Sequence, residues 1–241
     1  MKAMILAAGL GTRLKPWTDH HPKALAVVNG KSLLERNVLY LQQYGIYDVL
    51  VNVHHFADQI IHAIEINKGW GSNISVSDET DMVLETGGGL KKAEPYFEGE
   101  THFVMMNVDI LTKLDLGKMV AQHLHLHPLA TLAISERNTS RYFLFDDKGT
   151  LKGWRNIQTG EEKPSHISGT YPNLKQMAFS GIHVIDTTLF NLMNREGKFS
   201  MVDVYLDLCA TQQIHGFDHT GVALVDVGKP ESIVKAEQIF T

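Results

Sequence analysis

The chain has 241 residues, 44% of them apolar, enough for one large α/β domain or two small ones, with a single core as the better reading. A formal charge of −5 and a pI near 6.2 give no general attraction to nucleic acid or anionic membranes, so neither is an expected partner and phosphate binding must rest on a few placed cations. One cysteine, Cys209, excludes an internal disulfide; a short N-terminal apolar run and the lack of any stretch of roughly 20 apolar residues complete the expectation of a cytoplasmic protein.

Residues 4–8 are an apolar run of strand length that stops at Gly9 and Gly11, so a strand ends there in a tight loop. Small residues let backbone approach a ligand, successive N–H groups in such a loop form an anion-binding concavity, and Arg13 adds a planar fork of donors. The natural ligand is a polyphosphate. A dinucleotide fingerprint fails, because its third glycine is Leu14 and Pro16 stands where the helix would begin. A Walker A loop ending at Gly30-Lys31-Ser32 fails as well, since its first glycine is Leu25.

The composite over residues 4–28, Leu-Ala-Ala-Gly-x-Gly-Thr-Arg-Leu-x-Pro-x-Thr followed by Pro-Lys-Ala-Leu, closely resembles the signature of the nucleoside-triphosphate:sugar-1-phosphate nucleotidyltransferases. The resemblance implies a Rossmann-like, mostly parallel mixed sheet flanked by helices, with a small antiparallel insertion. It also implies an enzyme that joins an NTP to a sugar 1-phosphate and uses Mg²⁺. Leu6, Ala7, Ala8, Gly9, Gly11, Thr12, Arg13 and Lys23 would then hold the nucleotide, with Arg13 and Lys23 catalytic.

Downstream, helical spacing over 31–44 and a stop at Gly45 predict a helix, 49–53 a buried strand, 57–67 a second helix and 74–77 a strand. This is the alternation of a parallel sheet with right-handed crossovers, which binds ligands beyond the carboxyl ends of its strands. Glu85-Thr86-Gly87-Gly88-Gly89 reads as a loop that lets a ligand or a backbone come close, with a short helix from Leu90 to Tyr96. In the family this position borders the nucleobase, which implies nucleotide-binding roles for Glu85, Thr86, Gly87 and Gly88. The stretch is similar in particular to uridylyltransferases that act on N-acetylmuramic acid 1-phosphate.

The apolar strand 101–108 delivers Asp109 at its carboxyl end. The family's metal-binding aspartate stands here, which implies a nucleotide-binding, catalytic and Mg²⁺-ligating Asp109, although Val108 replaces the usual glycine. A helix is predicted over 115–127; its His123 and His127 have metal-ligand spacing, but without acidic or cysteine partners a solvated helix end is the better reading. A strand follows over 129–135.

Between 137 and 180 short apolar pieces at 142–145 and 151–154 flank a hairpin turn at 146–149, an antiparallel insertion. The resemblance gives this insertion the sugar side of the cleft, with Glu162 as a sugar contact. Gly181 interrupts the apolar strand 178–185, which suggests close approach of another group, and the family places a sugar pocket there. His183 reads as a packed residue. Helices are predicted over 188–196 and 202–213, and the strand 222–227 ends in Asp226-Val227-Gly228-Lys229-Pro230. That ending resembles the family's closing Asp-x-Gly-Thr-Pro, which implies Asp226 as the second Mg²⁺ ligand.

One unit, 1–241, is therefore expected: about 1–135 for the nucleotide, about 137–241 for the sugar and the closing strand and helix. The favoured activity is uridylyl transfer to an N-acetylmuramic acid 1-phosphate-like acceptor. Mannose-1-phosphate guanylyl transfer, glucose-1-phosphate thymidylyl transfer, cytidylyl transfer to a non-sugar phosphate and a silent nucleotide-sugar-binding regulatory subunit stay open, as does oligomeric state.

Overall fold

A computed structural model describes residues 1–171 and 173–241. The chain runs through β1 (Ala3–Leu6), β2 (Val27–Val28), β3 (Lys31–Ser32), α1 (Leu33–Gln42), β4 (Asp48–Val53), α2 (Ala57–Ile66), β5 (Asn73–Asp78), α3 (Glu85–Lys92) and β6 (His102–Asn107). It continues with β7 (Ile110–Thr112), α4 (Leu116–Leu126), β8 (Ala130–Ser135), β9 (Arg141–Phe145), β10 (Leu151–Asn156), β11 (Glu162–Lys163), α5 (Ile167–Thr170) and β12 (Lys175–Asp186). The remaining elements are α6 (Leu189–Leu192), α7 (Met201–Leu208), β13 (Ile214–Asp218), β14 (Leu224–Asp226) and α8 (Pro230–Ile239).

β1 lies between β4 and β6, parallel to both, and β5 extends the parallel set beyond β4. Alternation of side chains sends Ala3 and Ile5 into one core and Met4 and Leu6 into a second on the opposite face. Helices cover both faces, which is why residues 3–6 are apolar without interruption. The first core receives Leu34, Val38 and Leu41 of α1, Ile60 of α2 and Met119 of α4; the second receives Leu90 of α3, Leu189 of α6 and Tyr205 of α7. The start of α1 is set by an N-cap, in which the Ser32 hydroxyl accepts the Glu35 amide at 3.0 Å.

Beyond β6 the sense reverses once. β12 is antiparallel to both β6 and β8, and β13 is parallel to β8, so β1, β4, β6, β8 and β13 all point their carboxyl ends the same way. β12 bends at Gly181, where φ is +74° and the register with β8 shifts. Residues 182–186 pair with β6, while 175–177 pair with β9 and lead into the antiparallel arm β9–β10–β11. This is the mostly parallel mixed sheet with an antiparallel insertion that the sequence leads one to expect.

Two local expectations are corrected. The helix placed at 90–96 begins at Glu85 and takes in all three glycines, with a separate turn of 3-10 helix at Glu94–Phe97. A Cβ on Gly87 would lie 2.5 Å from the Phe199 ring, one on Gly88 2.1 Å from the Gly197 carbonyl oxygen, and one on Gly89 2.7 Å from Glu79 Oε1. Close approach by the segment before α7 at Gly87 and Gly88, and by Glu79 at Gly89, therefore outweighs the helix cost of glycine, about 1 kcal/mol each. His123 is not at a solvated helix end: it is 3% exposed, its Nδ1 is 3.0 Å from Thr131 Oγ1, and burial, with His102 nearby, pushes its pKa down to about 4. His183 is packed as expected, buried with Nδ1 2.6 Å from the Tyr205 hydroxyl.

Candidate active site

The loop after β1 stands at the carboxyl ends of the parallel strands and lines a cavity of about 410 Å³. Leu6, Ala7, Ala8, Gly9, Gly11, Thr12, Arg13, Lys23, Glu85, Thr86 and Asp109 all reach it, joined by Asn52, Val83, Asn107, Val108, Ser200 and Gly228. Gly11 has φ +61°, and a Cβ there would lie 2.8 Å from Thr18 Cγ2 and 3.0 Å from Lys23 Cβ, so the loop folds down onto the lysine only because Gly11 has none. Thr18 Oγ1 donates to the Gly11 carbonyl at 3.0 Å and holds the turn.

Asn52 is a member that the sequence reading passed over, although a lone amide inside the apolar run 49–53 was a signal for it. Its Oδ1 accepts the Ala7 amide at 2.7 Å and the Ala8 amide at 3.4 Å, while Nδ2 donates to Glu79 Oε1 at 2.8 Å. Glu79 is 2% exposed and its Oε2 accepts the Leu84 amide at 3.3 Å, so one buried pair ties the loop after β1 to the entry of α3. At that entry the Thr86 hydroxyl accepts the Met201 amide at 2.8 Å, and the amides of Gly87 and Gly88 both donate to the Phe199 carbonyl. Gly87 and Gly88 thus face the segment before α7, and the cavity wall at this point is Val83, Glu85, Thr86 and Ser200.

The Lys23 ammonium is bound by the Asp109 carboxylate, and both side chains are largely withdrawn from solvent. Val108 sits in ordinary, not left-handed, backbone, its carbonyl held by Asn37 Nδ2 at 2.7 Å, so a β-branched residue is accommodated where a glycine is usual. Asp226 arrives by backbone pairing: β14 runs antiparallel to β7, Asp226 faces Ile110, and the Val227 amide donates to the Asp109 carbonyl at 2.8 Å. The two carboxylates that stand far apart in sequence therefore meet.

Asp226 Oδ2 is 3.9 Å from Arg13 Nη2, while its Oδ1 is buried with no hydrogen-bond partner. Burial pushes the Asp226 pKa up, the Asp109 charge adds to this, and Lys23, Arg13 and Arg137 pull against it. A buried, unpartnered carboxylate oxygen beside a second carboxylate suits a divalent cation. Among the described residues there is no cluster of three or more His, Cys, Asp or Glu, and a pair of carboxylates is the donor set Mg²⁺ uses when phosphates and water supply the rest. Gly228 belongs to the same design, since a Cβ there would lie 2.8 Å from both Arg13 Nη2 and Asp226 Oδ1.

The two residues assigned to the sugar stand outside the cavity lining. Gly181 lies behind Asn107, where a Cβ would be 2.8 Å from Nδ2, and so lets the bend of β12 close on the end of β6. Glu162 is on the antiparallel arm, where its Oε1 accepts Arg155 Nε at 2.9 Å and its carboxylate also holds Ser168.

The nucleotidyl transferase family model matches residues 2–241. The chain is 41% identical to the N-acetylmuramate α-1-phosphate uridylyltransferase of Neisseria meningitidis serogroup B, over 95% of this chain and 93% of that protein. It is 44% identical to the protein of the same name from Caulobacter vibrioides, over 98% and 95%. The crystal structure of HddC from Yersinia pseudotuberculosis complexed with GMP-PN has the same fold, with a TM-score of 0.79 at 24% identity over 100% of this chain and 99% of that one. On the match of almost its whole length to the family model, the chain belongs to the nucleotidyl transferase family.

Proposed function

We infer that the chain transfers a uridylyl group from UTP to N-acetylmuramic acid 1-phosphate, releasing pyrophosphate and forming a UDP-sugar. The observation that carries this reading is the convergence of Asp109 and Asp226 with Lys23 and Arg13 at one side of a loop-lined cavity. Full-length similarity to two proteins named as uridylyltransferases of that acceptor supports the choice of base and sugar.

In the reaction an oxygen of the sugar phosphate attacks the α-phosphorus of UTP in line; the new P–O bond forms as the bond to the β-phosphate oxygen breaks, and pyrophosphate leaves with the electron pair. The attacking oxygen is already anionic at neutral pH, so no general base is needed. The barrier lies in bringing two anions together and in stabilising charge on the phosphoryl and leaving oxygens. The loop from Leu6 to Thr12 and the Arg13 guanidinium grip the β- and γ-phosphates, while Lys23, oriented by Asp109, neutralises the α-phosphate. Glu85 and Thr86 border the base. Asp109 and Asp226 would hold Mg²⁺, which supplies positive charge to the phosphate oxygens when bound. Residues about 1–135 serve the nucleotide and about 137–241 the acceptor.

The test is pyrophosphate release with Mg²⁺ for UTP, dTTP, GTP, CTP and ATP against N-acetylmuramic acid 1-phosphate, glucose 1-phosphate, mannose 1-phosphate and phosphocholine. The expected result is one dominant pair, UTP with N-acetylmuramic acid 1-phosphate. Preference for a guanine or thymine nucleotide with a neutral hexose phosphate would replace this reading.

A further inference from the structure

Among the described residues, three buried side-chain atoms lack a hydrogen-bond partner: Arg137 Nε, His219 Nδ1 and Asp226 Oδ1. Arg137 and His219 are neighbours, because they are held by adjacent residues of β12, the Phe179 carbonyl and the Ser180 hydroxyl. Orphaned buried polar atoms are rare and costly, and each calls for a reason. The Asp226 oxygen has one in the cation it would share with Asp109. The two nitrogens are left over.

Their place in the sheet says which side of the reaction they serve. Arg137 follows β8 and His219 follows β13, so both stand at the same end of the sheet as the phosphate loop. β8 is the third strand from β1, counting through β6 and β12, which puts the root of Arg137 about 14 Å from that loop at ~4.8 Å per strand. Arg13 and Lys23 already serve the triphosphate. The root of Arg137 is therefore displaced from that loop toward the antiparallel arm, the side that the acceptor reading gives to the sugar.

The bend of β12 fixes both heads and leaves their other ends unspent. Arg137 Nη2 donates to the Phe179 carbonyl at 2.7 Å, and His219 Nε2 is 2.8 Å from Ser180 Oγ. With the Ser180 hydroxyl donating to Nε2, the proton of His219 resides on Nδ1. Two N–H donors without a partner then remain on side chains anchored to adjacent residues of β12, one of them on a permanent cation, which is the chemistry that recognises a carboxylate.

We propose that Arg137, together with His219, binds a carboxylate carried on the sugar ring of the acceptor and so sets the preference of this enzyme for a carboxylated sugar 1-phosphate. This rests on the acceptor reading given above, since N-acetylmuramic acid carries such a group on its lactyl ether. The transferred phosphate is the other anion within the acceptor, and a matched pair of acceptors separates the two.

The experiment measures kcat and KM with UTP for N-acetylmuramic acid 1-phosphate and for N-acetylglucosamine 1-phosphate, which differ only in the lactyl group. The wild type prefers the carboxylated acceptor. Arg137→Gln lowers kcat/KM for it about 10- to 100-fold, chiefly through KM, the loss expected for one hydrogen bond to a charged group. The carboxylate-free acceptor loses much less, so the preference collapses; His219→Gln moves it the same way, and Arg137→Lys, which keeps the cation without the fork, recovers part of it. An equal loss on both acceptors, or a raised KM for UTP, would overturn the assignment. Wild-type turnover of both acceptors without preference sinks the carboxylate role alone, whereas wild-type silence on both sinks the acceptor reading and this proposal with it.

Discussion

The carbonyl of Asp109 accepts the amide of Val227 at 2.8 Å, and this backbone bond, not a side-chain contact, fixes the distance between the Asp109 and Asp226 carboxylates. The β7–β14 ribbon continues it. Because backbone holds them, Asp109→Asn and Asp226→Asn should fold while turnover falls by about 100-fold or more, the scale of losing one charge-stabilising group. Mg²⁺ should raise the thermal midpoint of the wild type and leave that of Asp226→Asn unmoved. Pyrophosphate release and calorimetry measure the two effects. Near-full activity of both variants would remove the metal assignment.

Gly88→Ala separates packing from ligand access in α3. If the glycine were there only to admit a nucleobase, alanine would stabilise the helix by about 1 kcal/mol. The Gly197 carbonyl, 2.1 Å from the new Cβ, instead predicts a net loss of about 1–3 kcal/mol from overpacking. Denaturant midpoints of the two proteins give the sign.

Asn52→Ala would free the amides of Ala7 and Ala8 and leave the buried Oε1 of Glu79 without its Asn52 donor. The expected cost is about 1–3 kcal/mol of stability for the unsatisfied group, with a raised KM for the NTP as the loop after β1 loses its anchor. A variant with wild-type stability and an unchanged KM would show that the loop holds its shape without Asn52.

Two of the three buried histidines, His123 and His183, set most of the fold's acid limit. Burial lowers the pKa of His123 to about 4 and that of His183 to about 3, against a usual 6.5. Below pH 6.5 the unfolded chain takes up their protons and the folded one does not, so stability falls as pH drops from 6.5 toward 4. Each contributes a slope of about 1.4 kcal/mol per pH unit once its unfolded form is protonated. Denaturation at pH 7.5 and pH 5 should show the loss, and His183→Phe should reduce it.

That the loop after β1 and Asp109 share a cavity is legible because the signals are local: small residues, a cation, and an acid at a strand end. Asp226 was legible by its ending motif, but its meeting with Asp109 depends on a ribbon between distant segments, which spacing cannot show. The entry of α3 is not legible because the helix penalty of Gly87, Gly88 and Gly89 is a local quantity, whereas what offsets it is Phe199, Gly197 and Glu79 arriving from elsewhere. Asn52 and Glu79 carry no motif; only their burial together reveals a purpose. His123 was placed in solvent on the pattern of its own helix, and Thr131 of β8 is what covers it.

The most direct test of the account is Mg²⁺-dependent pyrophosphate release from UTP and N-acetylmuramic acid 1-phosphate by the wild type beside Asp109→Asn, with the nucleotide-sugar product identified by mass. The expected result is a UDP-linked product from the wild type and a near-complete loss in the variant. Equal release by both proteins, or no release from the wild type while another NTP and acceptor pair turns over, would contradict it.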